Sequence, residues 1–138
     1  MKYLPLLIIF SIFHFSCNTQ EIIAADTVKI VFYGRTKGQA IRRPLTITDR
    51  KKVLLFSKAF SGTGSAPLYK CGYTGSIIFY RFGRKILSAD FNLSEECAHF
   101  VSMKGENIIS REIGDEGLKQ LRDMYREIIP EKNSLIRE

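Results

Sequence analysis

The run EECAH, residues 95–99, brings two carboxylates, a thiol and an imidazole into five positions. Such groups can bind zinc, but a closed zinc site needs four ligands that converge on the ion. If Cys97 is in a disulfide, it can supply no thiolate ligand. His99 is the only histidine after the apolar leader, and no G-x-S-x-G motif frames it as a triad base. We therefore expect a structural sheet histidine, no metal and no cofactor.

Paired carboxylates are a second possible chemistry, because Asp90, Glu95 and Glu96 lie close together in the sequence. Glycoside hydrolysis needs two such groups at a fixed separation in a cleft. The chain has no tryptophan to stack on a sugar. The GTGSAP run at 62–67 lacks the Lys-Ser/Thr ending of a phosphate-binding loop. These observations predict a protein that is not an enzyme, with a small periplasmic hydrolase as one alternative.

Basic residues cluster in RTKGQAIRRP, residues 35–44, which we predict to be a loop interrupted by glycine. Arginine can hold a carboxylate or phosphate with two hydrogen bonds, and a loop beside a rigid sheet is a common recognition platform. A solvated loop without any partner is the competing interpretation. The candidate partner-binding set is Tyr33, Arg35, Lys37, Arg42 and Arg43.

The elements that would position these residues include one strand and two helices. DTVKIVFYG at 26–34 alternates so that Val28, Ile30 and Phe32 share one face. A helix is predicted over 48–60 with Thr48 as its cap. A second, amphipathic helix is predicted from Asp115 as cap to the stop at Pro130.

Two hairpins are predicted between the helices. A turn at Gly83-Arg84 places Ile78 opposite Ala89 and assembles an apolar face, whereas a turn at Phe82-Gly83 opposes Arg81 to Arg84, so we favour the first register. The second hairpin joins 97–103 to 107–113. Together the elements predict an α+β fold: an antiparallel sheet built from hairpins, one internal helix and one C-terminal amphipathic helix.

The leader predicts export. Lys2 precedes an apolar stretch that is too short to cross a hydrocarbon core of about 30 Å. HFSC, residues 14–17, resembles the lipobox of bacterial lipoproteins, although His14 stands where that family usually has an aliphatic residue. The resemblance covers the leader alone. It implies that Cys17 becomes the lipidated N-terminus, and Asn18 after it implies the outer rather than the inner membrane. Ordinary signal cleavage after Ala25 is the alternative.

This interpretation divides the chain into a signal peptide at 1–16, a lipidated tether at 17–26, one α+β domain at 27–130 and a charged tail at 131–138. An oxidising compartment favours a disulfide between the two remaining cysteines, Cys71 and Cys97. Two buried free thiols are the alternative for this pair.

Charge suggests the kind of partner. The chain has 21 basic and 14 acidic residues, and Lys2 is the only charge of the leader, so 20 against 14 leaves a net +6. An exported protein rarely meets nucleic acid, so we expect an acidic protein or glycan, besides the membrane held through the lipid. The sequence thus predicts an envelope-anchored, non-enzymatic binding or accessory module. The main alternative is an inhibitor or immunity-type lipoprotein that neutralises a toxin or hydrolase.

Overall fold

The computed structural model of the chain describes residues 21–36, 38–62 and 64–129. The predicted signal peptide, the lipidation site Cys17, Pro130 and the charged tail lie outside the described residues, as does Lys37. No helix among the described ranges is both long enough and apolar enough to cross a membrane.

Six antiparallel strands form one sheet, and two α-helices cover one of its faces, which confirms the predicted α+β class. The spatial order of the strands is β2-β1-β3-β4-β5-β6. The strands are β1 Thr27–Thr36, β2 Gln39–Ile47, β3 Gly75–Arg81, β4 Arg84–Asn92, β5 His99–Lys104 and β6 Asn107–Arg111; the helices are α1 Arg50–Phe60 and α2 Asp115–Ile128, and a 3-10 turn spans Glu95–Cys97.

The core lies between the helices and one face of the sheet, which we call the helix face. Val28, Ile30 and Phe32 are fully buried there, as the alternation in β1 predicted. Phe60 of α1 packs its ring 5.7 Å from Phe79 on the sheet. Tyr125 of α2 packs its ring 5.7 Å from Phe32, edge to face. The opposite side of the sheet carries neither helix, and we call it the open face.

The antiparallel order also gives the sheet two ends. The entry end holds the start of β1, the β3–β4 turn at 82–83 and the β5–β6 turn at 105–106. The far end holds the β1–β2 turn at Gly38, the start of β3 and the pairing of Asn92 with His99. Thr27 and Arg35 are eight residues apart on β1, which is a distance of about 26 Å along a strand.

Both predicted helix caps are wrong by one residue. Asp49 rather than Thr48 caps α1, because its side chain accepts a hydrogen bond from the Lys52 N–H at 2.9 Å. A carboxylate at this position also suits the positive end of the helix. Asp115 is the first residue of α2 and not its cap, which is Gly114. The N–H of Gly114 donates to the Ala59 carbonyl at 3.0 Å, so contact with α1 sets where α2 begins.

The predicted register of the β3–β4 hairpin is also wrong. Its turn is Phe82-Gly83, with φ of 49° and 74°, and Arg81 does lie opposite Arg84. A bulge after Phe79 shifts the pairing, so that Ile77 and Phe79 face the core instead of Ile78 and Tyr80. The two arginines are tolerated because they lie at an exposed tip, where water and salt screen their repulsion.

The predicted basic loop at 35–44 is a hairpin instead. Gly38, at φ 80°, lies in its turn, and the remaining basic residues lie on strands β1 and β2. The prediction failed because it took the glycine as part of a loop, whereas Gly38 lies in a tight turn between two paired strands. Pro44 lacks an N–H, which is unfavourable in a central strand. In the structure β2 is an edge strand, where a proline can be accommodated opposite Val31.

Candidate functional site

The predicted disulfide between Cys71 and Cys97 is present, with the two Cα atoms 6.4 Å apart. Asn92 reinforces it from the end of β4. Its amide N–H groups donate to the Gly72 carbonyl at 2.9 Å and the Cys71 carbonyl at 3.4 Å, while its side-chain oxygen accepts from the Ser94 N–H at 2.8 Å. These bonds hold the segment that precedes β3 against the far end of the sheet.

His99 lies beneath that segment, fully buried on β5. Its Nδ1 lies 2.6 Å from the Cys97 carbonyl, which can only accept, so Nδ1 carries a proton. The rings of Tyr69 and Tyr73 lie 5.0 Å and 6.3 Å away and cover it. Nε2, the nitrogen left for acid–base work, has no hydrogen-bond partner among the described residues. The arrangement is that of a structural histidine closed off from solvent.

A groove of about 780 Å³ crosses the open face between residues 68–73 and strands β4 to β6. Leu68, Tyr69, Met103 and Ile108 give it an apolar lining, and Asp90 supplies the one carboxylate among its described lining residues. Burial raises the pKa of Asp90 above the ordinary 3.8. The candidate partners of Asp90, at positions 95 and 96, do not line the groove. The carboxylates considered for glycoside hydrolysis are therefore not brought together there.

The structure places part of the predicted basic set together at the far end. Tyr33 and Arg42 lie directly opposite each other on β1 and β2, and the Arg42 guanidinium lies 5.3 Å from the centre of the Tyr33 ring. Arg35 projects from the same open face, diagonally from Arg42. We call these three residues the basic patch. Neither of its arginines forms an ion pair with a described residue, so both remain available to a partner.

Arg43 does not belong to this patch. It pairs with Phe32, and therefore points to the helix side at the exposed rim of β2. Lys37 lies outside the described residues. Arginines and a proline on an uncovered edge strand also discourage pairing with another chain, which is a structural reason for their presence.

The sequence interpretation missed a second set of stacked cations at the entry end. The Lys29 ammonium lies 5.1 Å from the centre of the Tyr80 ring, and the Arg81 guanidinium lies 5.3 Å from that of Phe82. The signal was present in RFGRK, residues 81–85, where three basic residues surround an aromatic one. It was overlooked because the favoured register put the turn one residue later.

Asp26 fixes this turn from the start of β1. Its carboxylate accepts hydrogen bonds from the Phe82 N–H and, at 2.8 Å, from the Thr27 hydroxyl. The hydrogen bond from the Phe82 N–H contributes most to lowering the pKa of Asp26 below 3.8. The bond from the Thr27 hydroxyl and the positive charge of Arg81 lower it further. Asp26 is thus the acid that ties the incoming chain to the β3–β4 tip.

The chain matches no protein-family model, no curated protein and no solved structure.

Proposed function

We propose that this protein is a lipid-anchored binding module of the bacterial envelope, without enzymatic activity, and that its basic patch contacts an acidic protein. Cys17 would carry the lipid, and the patch of Tyr33, Arg35 and Arg42 would lie at the end of the sheet away from it. This arrangement suits a domain that presents one surface outward from a membrane.

The single observation that carries the proposal is the stacked pair of Arg42 and Tyr33 on the sheet face that neither α1 nor α2 covers. Stacking restricts the arginine side chain before a partner arrives, so less entropy is lost when the guanidinium binds. Two unpaired guanidinium groups beside each other suit a pair of carboxylates, each of which can be bound through two hydrogen bonds.

Export supports the same proposal from a different direction. A disulfide between Cys71 and Cys97 is typical of oxidising compartments, and the lipobox resemblance implies the same destination. Since the described chain enters the sheet opposite the basic patch, an anchor at Cys17 would leave that patch directed away from the bilayer.

The test is affinity capture from envelope extract with the wild-type chain and with an Arg35→Ala, Arg42→Ala double variant. A matched control carries Lys119→Ala and Arg126→Ala, which remove the same charge from the exposed side of α2. We expect one acidic protein that the control retains and the patch variant loses. An identical set of partners from all three proteins, or recovery of a polysaccharide instead, would show that the patch is not the contact surface we propose.

A further inference from the structure

The β3–β4 turn exposes a large apolar ring that does not pack in the core. Phe82 is 84 % exposed, the highest value among the large apolar residues of the described chain. Its φ of 49° is in the left-handed region, which asparagine and glycine adopt far more readily than phenylalanine. A residue that neither packs in the core nor favours its own turn points to a role outside the folded domain.

Positive charge surrounds this ring. Arg81 and Arg84 flank the turn, Lys85 follows, and Lys29 lies over the neighbouring Tyr80 ring. The exposed first turn of α1 adds three more basic residues, at 50–52. It lies at the same end of the sheet, because α1 begins three residues after Ile47, which pairs with Val28. Among the residues that the structure describes, the acids of this end are Glu21, Asp26, Asp49 and Glu106. Of these, Asp26 and Asp49 accept backbone hydrogen bonds, from Phe82 and Lys52.

The chain enters the domain beside the same turn. Ile22 is buried, whereas Ile23 is 44 % exposed and adds a second apolar side chain to this end. The Asp26 N–H donates to the Tyr80 carbonyl at 2.9 Å, and the Asp26 carboxylate accepts from the Phe82 N–H. Asp26 therefore holds the start of the described chain against the hairpin that carries Phe82.

This position sets how the domain meets a bilayer, a step that rests on the proposed anchor at Cys17. Glu21 is four positions after Cys17, and an extended chain of that length spans at most about 14 Å. The domain cannot move far from the headgroups, and the end nearest to them is the one that bears Phe82. The basic patch lies about 26 Å farther along β1.

We propose that the β3–β4 turn docks on an anionic bilayer, with the Phe82 ring among the headgroups and with Arg81, Arg84 and Lys85 against lipid phosphates. An aromatic ring suits the boundary between headgroups and acyl chains. Each basic residue near an anionic surface strengthens the contact roughly fivefold, so three of them contribute on the order of 100-fold. The partner that we propose for the entry end is thus the membrane surface.

The absence of tryptophan from the chain permits a direct test. The full chain, expressed with its own leader and purified from the envelope in detergent, is reconstituted with Phe82→Trp as its only tryptophan. The vesicles contain either neutral lipid alone or neutral lipid with anionic phosphatidylglycerol, and brominated acyl chains serve as quenchers. A second variant, Tyr73→Trp, places the reporter at the far end on a side chain that is 41 % exposed.

In anionic vesicles we expect Phe82→Trp to emit at shorter wavelength and to be quenched, and Tyr73→Trp to remain unquenched. Neutral lipid, or 0.5 M salt with its short screening length, should abolish most of the shift. Adding Arg84→Gln and Lys85→Gln should lower the ratio of docked to undocked protein about 25-fold. A Phe82→Trp reporter that stays in water in both vesicle types overturns the inference.

The same samples separate this inference from the proposed function, because mass spectrometry reports whether Cys17 is acylated. An acylated protein with an unquenched Phe82→Trp reporter would leave the anchor intact and remove the docking site. A protein without acylation that still shows quenching in added anionic vesicles would remove the anchor and leave the docking site. Quenching of both reporters would mean that the whole sheet lies on the membrane, which contradicts docking through the turn.

Discussion

At the scale of single residues, two aspartates have pKa values shifted in opposite directions for identifiable reasons. The Phe82 N–H bonds the ionised form of Asp26 and lowers its pKa below 3.8, whereas burial on the open face raises the pKa of Asp90 above 3.8. Their contributions to the free energy of unfolding therefore change with pH in opposite senses, since a pKa that differs between the folded and unfolded states makes stability depend on pH.

The sign follows from which state binds more protons. The contribution of Asp26 is present above pH 3.8 and is lost as the pH falls through its lowered pKa. Asp26→Asn should therefore lower the free energy of unfolding at neutral pH and make it fall less steeply at acid pH. The contribution of Asp90 is present below pH 3.8 and is lost as the pH rises through its raised pKa. In Asp90→Asn the free energy of unfolding should no longer decrease over that pH range. Urea unfolding between pH 2.5 and pH 7 measures both. Parallel pH profiles for wild type and both variants would contradict the assignment.

At the scale of elements, the disulfide anchors the connection between α1 and β3, which is the longest irregular part of the described chain, to the segment after β4. Cross-linking positions 26 residues apart restricts the unfolded chain, and its removal should lower the free energy of unfolding by roughly 3.5 kcal/mol. The Cys71→Ser, Cys97→Ser double variant tests this by denaturant unfolding. An unchanged midpoint would mean that Asn92 and the strand pairing alone hold this segment.

The same scale shows what the sequence could and could not predict. Alternation in β1 placed Val28, Ile30 and Phe32 correctly, because burial of one face leaves a period of two in the residues themselves. The β3–β4 register was missed because both faces of β3 contain apolar residues, so Ile77 and Ile78 compete and a bulge decides between them. The edge position of β2 depends on strand order, which no local pattern around Arg42 contains.

The candidate site, like the fold, was predictable only in part from the sequence. The basic residues around the β1–β2 turn were identified from the sequence, but their division between two faces of the sheet was not. Neighbouring residues of a strand, such as Arg42 and Arg43, point to opposite faces, whereas residues of a loop follow no such rule. Docking through Phe82 could not be inferred without the register, since the ring is exposed only in the turn that the like-charge argument rejected.

At the scale of the whole molecule, the proposed anchor makes location depend on one thiol that lies outside the described residues. Cys17→Ser should move the protein from the membrane fraction to the soluble fraction of lysed cells after a carbonate wash that contains 0.5 M salt, because salt screens the charges of one docked turn, which cannot then replace an acyl chain. Cys71→Ser, Cys97→Ser serves as the control, since it also removes thiols but should leave the protein in the membrane fraction. Retention of Cys17→Ser in the washed membranes would contradict lipidation.

The left-handed phenylalanine at the β3–β4 turn has a further consequence. Asn-Gly is the pair that such a two-residue turn prefers, so Phe82→Asn should raise the free energy of unfolding by roughly 1 kcal/mol, as thermal or urea melting can measure. Thermal stability alone would therefore favour asparagine at this position. Phe82 is thus unfavourable for the stability of its own turn, and we attribute its presence there to the proposed contact with the membrane.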